Sequence, residues 1–286
     1  MAGDVQHGVS LARLTTFRVG GVAREVHMPR SLTSLEGLLA RFRSQGRSPF
    51  FLGRGANVVF PDGEFARPVI CTRRLGGVEV EGTRIRAEAG LSLARLISLS
   101  IRRGLKGLEG LVGIPATVGG AVAMNAGGHG GCFGDRVRRL GLLPLKGGPL
   151  VEWRGADVEW RYRGADLEGY AVAWAELELE TAPVESLRAT ASRLLALKAA
   201  TQPLTSLSAG CVFRNPPGDS AGRRIDLLGL KGLTRGSAQV SETHANFIVN
   251  PDGQARARDV RDLVETLQSR IERAYGTRLE TEIVFA

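Results

Sequence analysis

The chain has 286 residues, 43% of them hydrophobic, and a formal net charge of +9. This length and apolar content allow one large domain or two to three smaller ones, each with a buried core. Because the arginines that carry the charge are scattered among acidic residues and form no run, the sequence disfavours a nucleic-acid partner and favours an anionic small molecule.

The cysteines and the apolar runs restrict the class of protein further. Cys71, Cys132 and Cys211 are odd in number and far apart, which suits neither a CxxC metal site nor a disulfide framework. We therefore predict no metal ion and a reducing, cytoplasmic environment. The first residues form a polar leader without the features of a signal peptide, and no apolar run is long enough to span a bilayer, so we predict no membrane association.

The chain begins with a pattern typical of a βαβ unit. Residues 22–28 alternate as a strand, residues 35–42 have apolar side chains at helical spacing after a capping serine, and residues 49–52 form a short apolar run. That run leads directly into residues 53–57, GRGAN, a glycine turn whose N–H groups can face a phosphate. The turn is a weak signal alone, because it lacks the lysine of a P-loop and the third glycine of a Rossmann fingerprint.

The middle of the chain is predicted to be mainly β. In order, it contains a strand at 69–72, a hairpin at 78–90 about Gly82, a helix at 93–101, a hairpin at 137–153 and a strand at 170–179. One or two helices among so many strands indicate an α+β fold and not a regular doubly wound repeat.

The most glycine-rich stretch is residues 104–131, GLKGLEGLVGIPATVGGAVAMNAGGHGG. Its glycines permit positive φ and let amide N–H groups approach an anionic ligand closely, while the apolar residues between them anchor the turns in a core. A large flat cofactor with a pyrophosphate suits such backbone. Tight turns between short buried strands would give the same composition, and glycine content alone does not decide between the two.

The last third is predicted to be helix-rich. A helix opens with Pro183 and ends near residue 200, and further elements follow in order: a helix from Ser220, a strand at 246–249, a helix at 257–275 capped by Gly276, and a strand at 279–285. Residues 201–286 would then form a small α/β domain. Alternation along the last strand places Glu280 and Glu282 on one face.

Three stretches carry polar chemistry, and each has an ordinary structural explanation. Residues 160–164, WRYRG, join arginines to aromatic rings, which a stacked surface pair also explains. Residues 208–217 set Cys211 between a glycine turn and a proline pair, although a lone cysteine is usually a small buried hydrophobe. The third stretch holds Glu280 and Glu282, and two glutamates on an outward strand face are common.

Taken together, segments of the chain resemble one enzyme family. They are LTTFRVGG, GRGANV, GLEGLVGIPATVGGAVAMNAG, WRYR, SAGCVFRNPPG, SAGRRIDLLGLKG, AQVSETHANFIVN and LETEIVF. In this order, across nearly the whole chain, they closely resemble the UDP-N-acetylenolpyruvoylglucosamine reductases (MurB) of bacterial peptidoglycan synthesis. No tyrosine-bearing loop is inserted after AGCVFRNP, so the chain resembles the shorter, type II branch.

The resemblance implies a fold and a reaction. The fold is an FAD-binding fold of the vanillyl-alcohol-oxidase (PCMH) type, with FAD-binding subdomains at 1–67 and 68–200 and a C-terminal α/β substrate-binding domain at 201–286. NADPH would reduce FAD, and the flavin would pass hydride from N5 to the terminal enolpyruvyl carbon of UDP-N-acetylglucosamine enolpyruvate. The product would be UDP-N-acetylmuramate, and the enzyme is expected to be a monomer.

By match to the family motifs, three residues would be catalytic. Arg163 would hold and polarise the substrate carboxylate, Glu282 would stabilise the developing negative charge, and Cys211 would protonate C2. Most members of the family have serine where this chain has Cys211. A thiol, with an ordinary pKa of about 8.5, is a far stronger acid than a serine hydroxyl, so we expect the substitution to be functional.

The residues expected to bind ligands lie in the glycine loops and in the last domain. For FAD they are Gly53, Arg54, Gly55, Ala56, Asn57, Val58, Gly113, Ile114, Pro115, Ala116, Thr117, Val118, Gly119, Gly120, Asn125, Ala126 and Gly127. For the substrate they are Arg214, Asn215, Gln239 and His244. A single histidine beside a strand is as often a hydrogen-bonded structural residue, so His244 has two interpretations.

Two other functions stay open at this point. Because fold does not fix function, the chain could be another oxidoreductase on the same FAD fold, such as an alcohol or sugar oxidase, with flavin attached covalently through His129. Yellow colour retained after denaturation would support that interpretation. The chain could also be a cofactor-free module that binds nucleotide sugars or nucleic acid, which a colourless preparation that cannot be reconstituted with FAD would support.

Overall fold

The structure is a computed structural model that describes residues 4–286, so the first three residues of the predicted subdomain 1–67 lie outside it. The helices within that range are α1 Leu32–Ser44, α2 Leu93–Arg102, α3 Val118–Ala123, α4 Val184–Thr201, α5 Ala221–Leu227 and α6 Ala257–Tyr275. The strands are β1 Asp4–Ser10, β2 Val22–Met28, β3 Phe50–Leu52, β4 Val58–Val59, β5 Glu64–Phe65, β6 Val69–Cys71, β7 Val78–Glu81, β8 Arg84–Glu88, β9 Leu105–Lys106, β10 Gly127–Gly128, β11 Gly131–Cys132, β12 Val137–Pro144, β13 Val151–Arg154, β14 Trp160–Arg161, β15 Gly164–Ala165, β16 Tyr170–Glu178, β17 Glu180–Thr181, β18 Ser208–Cys211, β19 Thr234–Arg235, β20 Ala238–Val240, β21 Phe247–Val249 and β22 Val284–Phe285.

The chain divides into two compact units, each assembled from separate stretches of sequence. Unit 1 contains Glu25–Arg54 and Arg67–Leu197 together with the described residues before Gly8. Unit 2 contains Gly8–Arg24, Gly55–Ala66 and Lys198–Ala286.

Most of the βαβ unit predicted from the first stretch of sequence lies in unit 1, which contains α1, β3 and the part of β2 from Glu25 onward. Helix α1 begins after Ser31, whose hydroxyl accepts the N–H of Ser34 at 3.1 Å, and its apolar side chains are buried with the spacing that the sequence predicts. Strands β2 and β3 do not pair with each other, because β6 lies between them and pairs in parallel with both. The glycine turn therefore follows the strand at the edge of this parallel group.

Unit 1 also contains an antiparallel sheet with strand order β13-β12-β16-β8-β7, and both predicted hairpins are confirmed within it. Gly82, at φ 57°, makes the turn of the first hairpin. Helices α2 and α3 pack against this sheet in a single apolar cluster that includes Leu96, Val122, Leu140 and Ala175. The mainly antiparallel pairing and the few helices give the predicted α+β architecture.

Unit 2 is built around a sheet of order β18-β21-β20-β19, covered by α5 and α6. One face of α6 is buried, and its first turn is capped from 195 residues away, because the Asp62 carboxylate accepts the N–H of Ala257 at 2.6 Å. Phe17 belongs to the same apolar cluster, and its carbonyl accepts the side-chain amide of Asn250 at 3.1 Å. Distant segments therefore complete this unit.

Some predicted elements differ from the observed ones. The polar leader contains strand β1, and α4 begins at Val184, one residue after Pro183. The predicted strand at 279–285 is wrong over its first five residues, because only Val284 and Phe285 form a ladder, in parallel with β4. The preceding residues bond instead to the irregular segment that follows β18. None of the helices in residues 4–286 has both the length and the apolar character needed to cross a membrane.

Candidate functional site

The first glycine loop, residues 53–58, has carbonyl groups that the protein holds in place. Arg73 donates from Nε to the carbonyl of Gly53 at 3.0 Å and from Nη2 to the carbonyl of Arg54 at 2.8 Å. The backbone N–H of Thr16 donates to the carbonyl of Gly55 at 3.1 Å. By contrast, the backbone N–H groups of residues 53–56 donate to no acceptor within residues 4–286.

Two glycines of this loop are required by their surroundings. Gly55 has a φ of +67°, and a Cβ built on it would lie 2.4 Å from the carbonyl oxygen of Leu14. A Cβ on Gly53 would lie 2.4 Å from the Oγ1 atom of Thr117. These separations are far shorter than a van der Waals contact, so the backbone here has no room for a side chain.

The second glycine loop, residues 113–120, uses its amide groups differently. The N–H of Val118 donates to the carbonyl of Leu91 at 2.9 Å, and the N–H of Gly119 donates to the carbonyl of Ala89 at 2.8 Å. The N–H of Gly120 donates to Oγ1 of Thr117, the N-cap of α3, at 3.3 Å. A Cβ on Gly120 would meet only Thr117 Oγ1, at 3.5 Å, so the protein itself does not require glycine there.

Arg163 lies against the end of the glycine-rich stretch, within unit 1. A Cβ on Gly127 would lie 2.6 Å from Nη1 of Arg163 and 3.3 Å from Sγ of Cys132, so the guanidinium group packs onto bare glycine backbone. The backbone of Arg163 is left-handed, at φ 60°, which is costly for a residue with a side chain and is typical of a functional constraint. The neighbouring Arg161 instead forms two hydrogen bonds with Glu159, at 2.8 and 2.7 Å.

Asn125 and Ala126, which we also predicted to bind the cofactor, make contacts within unit 1. Asn125 donates from Nδ2 to the carbonyl of Arg161 at 3.1 Å and accepts the N–H of Gly134 at 3.0 Å. Its side chain therefore links the glycine-rich stretch to the arginine-bearing turn, and Ala126, the next residue, is buried in the core of unit 1.

Cys211 and Glu282 are brought together within unit 2. The N–H of Glu282 donates to the carbonyl of Val212, the residue after Cys211, at 2.8 Å. Gly210, at φ 79°, and a break in the pairing of β18 with β21 bend the chain just before Cys211. Both Cys211 and Glu282 are half-buried.

Asn57 has a role that the sequence does not indicate. In addition to its predicted contact with the cofactor, its Nδ2 donates to the carbonyl of Glu282 at 3.1 Å, and its own carbonyl accepts the N–H of Val284 at 3.0 Å. Thr16 makes a comparable link, since its hydroxyl donates to the carbonyl of Ser208 at 2.8 Å. The end of the first glycine loop thus holds the backbone of Glu282 and Val284 in place.

The four residues predicted to bind substrate all lie in unit 2 and all contact other protein groups. Asn215 accepts the N–H of Ala221 and so caps α5, and Arg214 lies 3.8 Å from the carboxylate of Glu280. Gln239 donates to the carbonyl of Gly232 at 3.4 Å.

His244 is held as a neutral imidazole. Its Nδ1 accepts the N–H of Asn246 at 3.2 Å, so the proton of the ring is on Nε2. Burial lowers the pKa of His244, which favours the same uncharged form. A ligand that contacts this ring would therefore meet a hydrogen-bond donor at Nε2.

Unit 1 contains a cavity of about 220 Å³ that adjoins the first glycine loop. Its lining includes Arg54, Arg73, Arg95, Ser92 and Thr117, and none of its described lining residues is acidic. Such a lining suits an anionic group. The sequence gives no sign of Arg73 or Arg95 in this role, because their surroundings are set by the packing of separate segments.

Family models and known proteins show what the chain resembles. The model of the FAD binding domain matches residues 23–152, and the model described as UDP-N-acetylenolpyruvoylglucosamine reductase, C-terminal domain, matches residues 202–286. The UDP-N-acetylenolpyruvoylglucosamine reductase of Alkalilimnicola ehrlichii is 40% identical over 98% of this chain and 94% of its own length. The reductase of Moorella thermoacetica is 39% identical over 99% of this chain and 96% of its own length.

Solved structures give a consistent result. The crystal structure of UDP-N-acetylenolpyruvylglucosamine reductase (MurB) from Thermus caldophilus matches with a TM-score of 0.85 at 36% identity, over 99% of this chain and 98% of that chain. The 6-hydroxy-D-nicotine oxidase of Arthrobacter nicotinovorans matches with a TM-score of 0.52 at 17% identity, over 63% of this chain and 42% of that chain. The second match shows a shared fold alone.

Proposed function

Because the chain belongs to the UDP-N-acetylenolpyruvoylglucosamine reductase family of FAD-dependent oxidoreductases, we propose that it reduces UDP-N-acetylglucosamine enolpyruvate to UDP-N-acetylmuramate with NADPH. Its fold is the predicted α+β, FAD-binding fold of the PCMH type with an added C-terminal domain. The observation that carries the proposal is the hydrogen bond from the N–H of Glu282 to the carbonyl of Val212, which brings the backbone of Glu282 next to the residue that follows Cys211. The proposed reaction needs a carboxyl group and a thiol at one site.

The first glycine loop fits the diphosphate of FAD. Four successive amide groups bond to no acceptor within residues 4–286, and Gly53 and Gly55 add no side chains to block a close approach. The arginine-lined cavity beside Arg54 adds positive charge. When bound, FAD supplies the hydride chemistry that couples NADPH oxidation to reduction of the substrate.

The second glycine loop contributes in another way. At least five of its amide groups, those of Ile114, Ala116, Val118, Gly119 and Gly120, donate within the protein. In this proposal the loop therefore offers the cofactor the bare surface of Gly120 rather than those N–H donors. In this proposal residues 1–67 and 68–200 hold FAD and residues 201–286 bind the nucleotide sugar. The separate matches to residues 23–152 and 202–286 support that division of labour.

The catalytic side chains act on the enolpyruvyl group. When hydride reaches the terminal carbon, negative charge develops on C2 and on the adjacent carboxylate. Cys211 transfers its Sγ proton to C2, Glu282 donates a hydrogen bond to the developing charge in its protonated form, and Arg163 binds and polarises the carboxylate. The left-handed backbone of Arg163 supports this role, because it fixes the direction in which the guanidinium group leaves the chain.

The substrate diphosphate needs donors in unit 2. Arg214, Asn215, Gln239 and His244 supply them in this proposal, with His244 donating from Nε2. The internal contacts of these residues fix their side chains in position before a ligand binds.

Two half-reactions measured separately test the proposed function. Under anaerobic conditions, NADPH should bleach the flavin absorbance of the purified protein, and UDP-N-acetylglucosamine enolpyruvate should restore it with formation of UDP-N-acetylmuramate. A flavin that NADPH reduces but that this substrate leaves reduced would contradict the assigned substrate. NADH in place of NADPH tests the nucleotide preference.

Variants of Cys211 test its role within that experiment. We expect Cys211→Ser to keep measurable turnover, because a hydroxyl can still transfer a proton. Cys211→Ala should slow substrate reduction roughly 10²- to 10⁴-fold, as expected for loss of a general acid, while reduction of the flavin by NADPH stays unchanged. An equal loss in both half-reactions would remove Cys211 as the proton donor.

A further inference from the structure

Arg73 makes an unusual pair of contacts. It lies in the single helical turn Thr72–Arg74 that follows β6, and its side chain is exposed. From there its guanidinium group donates to two successive carbonyls of the first glycine loop, those of Gly53 and Arg54, at 3.0 and 2.8 Å. The rigid, planar fork of a guanidinium group can hold two acceptors in a fixed relation, which a lysine cannot do.

These contacts determine where two amide groups point. In a trans peptide the N–H of each residue points opposite to the carbonyl of the residue before it. Because Arg73 holds the carbonyls of Gly53 and Arg54, the N–H groups of Arg54 and Gly55 point away from Arg73. Gly55 has the left-handed conformation, which is found where successive N–H groups form an anion-binding concavity.

We propose that Arg73 is a positioning residue for the cofactor, which turns the amide groups of Arg54 and Gly55 toward the diphosphate of FAD. The inference rests on the FAD site of the proposed function but not on the substrate or the reaction. The N–H groups of Arg54 and Gly55 donate to no acceptor within residues 4–286, so they are available to an anion. Without Arg73 both peptide planes could rotate, and the loop would lose the arrangement before the ligand arrives.

A second arginine provides a matched control. Arg95 lines the same cavity and is also exposed, but it makes no hydrogen bond to the loop within the described chain. A purely electrostatic effect on an anionic ligand would be similar for the two arginines. An effect that acts through the loop carbonyls belongs to Arg73 alone.

The test measures release of FAD from the holoenzyme by the rise of flavin fluorescence on dilution. We expect Arg73→Met to raise the dissociation constant of FAD roughly tenfold or more, by analogy with the loss of an outer-shell contact at a metal site, and Arg95→Met to raise it by less than about threefold. Arg73→Lys keeps the charge but lacks the rigid, planar fork that fixes both carbonyls in one relation, so it should give an intermediate value. The melting temperature of each variant, measured with saturating FAD, should stay near that of the unmodified protein.

Several outcomes would overturn the inference. If Arg73→Met and Arg95→Met raise the dissociation constant of FAD equally, Arg73 acts only through its positive charge in the cavity. If Arg73→Lys leaves the affinity for FAD unchanged, the planar guanidinium group is not needed. If Arg73→Met does not fold, the FAD affinities of Arg73→Lys and Arg95→Met still test the inference, because only Arg73→Lys should weaken the hold on the loop carbonyls. An unmodified protein that binds no FAD would overturn the cofactor site itself, whereas one that binds FAD but ignores the nucleotide sugar would contradict only the proposed substrate.

Discussion

The two glycine-rich loops differ in the atoms that the protein uses. In residues 53–58 the protein holds the carbonyls and leaves the amide groups of residues 53–56 without a described acceptor. In residues 113–120 it holds the amide groups of Val118, Gly119 and Gly120. Gly53 and Gly55 are required by neighbouring protein atoms, whereas Gly120 is not.

This difference shows that similar glycine content can serve two physical purposes. The first loop needs glycine to adopt its own backbone conformation, which exposes N–H donors. In the second loop, the backbone at position 120 could be adopted by a residue with a side chain. The absence of a side chain at Gly120 therefore leaves room for a ligand rather than for other protein atoms. Four substitutions test the distinction.

The largest effect is expected for Gly55→Ala. The substitution forces a side chain into the left-handed region and against the carbonyl of Leu14, and neither conflict is relieved without moving backbone. We expect a loss of about 3 kcal/mol in the free energy of unfolding, measured by urea denaturation. Gly63→Ala is the matched control, because nothing lies within 4 Å of its added Cβ. Equal stability of the two variants would contradict the strain at Gly55.

Asn57→Ala should have the next largest effect. It leaves the half-buried carbonyl of Glu282 without its side-chain donor, which costs about 1–2 kcal/mol in the free energy of unfolding. Because the lost contact supports Glu282, substrate reduction should slow more than reduction of the flavin by NADPH, as stopped-flow absorbance can measure. Adding Asn57→Ala to Glu282→Gln should then cause little further loss in substrate reduction. A variant that mainly loses FAD would show that Asn57 acts chiefly on the cofactor and not through Glu282.

Thr117→Val should have a moderate effect. The hydroxyl of Thr117 accepts the N–H of Gly120 at the start of α3, and loss of such an N-cap typically costs about 1 kcal/mol in the free energy of unfolding. Thr117→Ser keeps the acceptor and should unfold at nearly the same urea concentration as the unmodified protein. If the valine and serine variants are equally stable, the amide groups of the second loop are not held by this cap.

Gly120→Ala should have the smallest effect on stability, with the opposite sign. Alanine favours helix over glycine by up to about 1 kcal/mol, and the added Cβ meets only Thr117 Oγ1 at 3.5 Å. We therefore expect the protein without FAD to become slightly more stable while its affinity for FAD falls. Unchanged FAD affinity in a fluorescence titration would show that the cofactor does not approach Gly120.

Local patterns were sufficient to predict most of the fold. The apolar spacing of α1 and α6 and the turn glycines of the hairpins are properties of neighbouring residues, and the structure confirms these elements. Strand β1 has no such pattern. Its residues Val5–Gly8 are all exposed, so the strand has no buried face that would require alternating apolar residues. The last predicted strand has the right alternation, with Leu279 and Ile283 buried, but its partners are mostly in an irregular segment.

The site was predictable where chemistry follows residue type and motif, and not where it depends on distant contacts. The glycine loops, Cys211 and Glu282 stand out in the sequence or through the family motifs. The contact of Asn57 with Glu282 joins residues 225 positions apart, and no local pattern can indicate it. The contacts of Arg73 span 19 or 20 positions and depend on how β6 packs beside β3.

The discontinuous composition of unit 2 has a consequence for synthesis on the ribosome. Phe17 is 1% exposed in the folded protein, and its carbonyl accepts a hydrogen bond from Asn250, which is translated 233 residues later. At roughly 5–20 residues per second, the nascent chain carries this apolar segment without its final partners for about ten to fifty seconds. Unit 2 can therefore complete its core only after its last segments are translated, and we expect it to become native after unit 1.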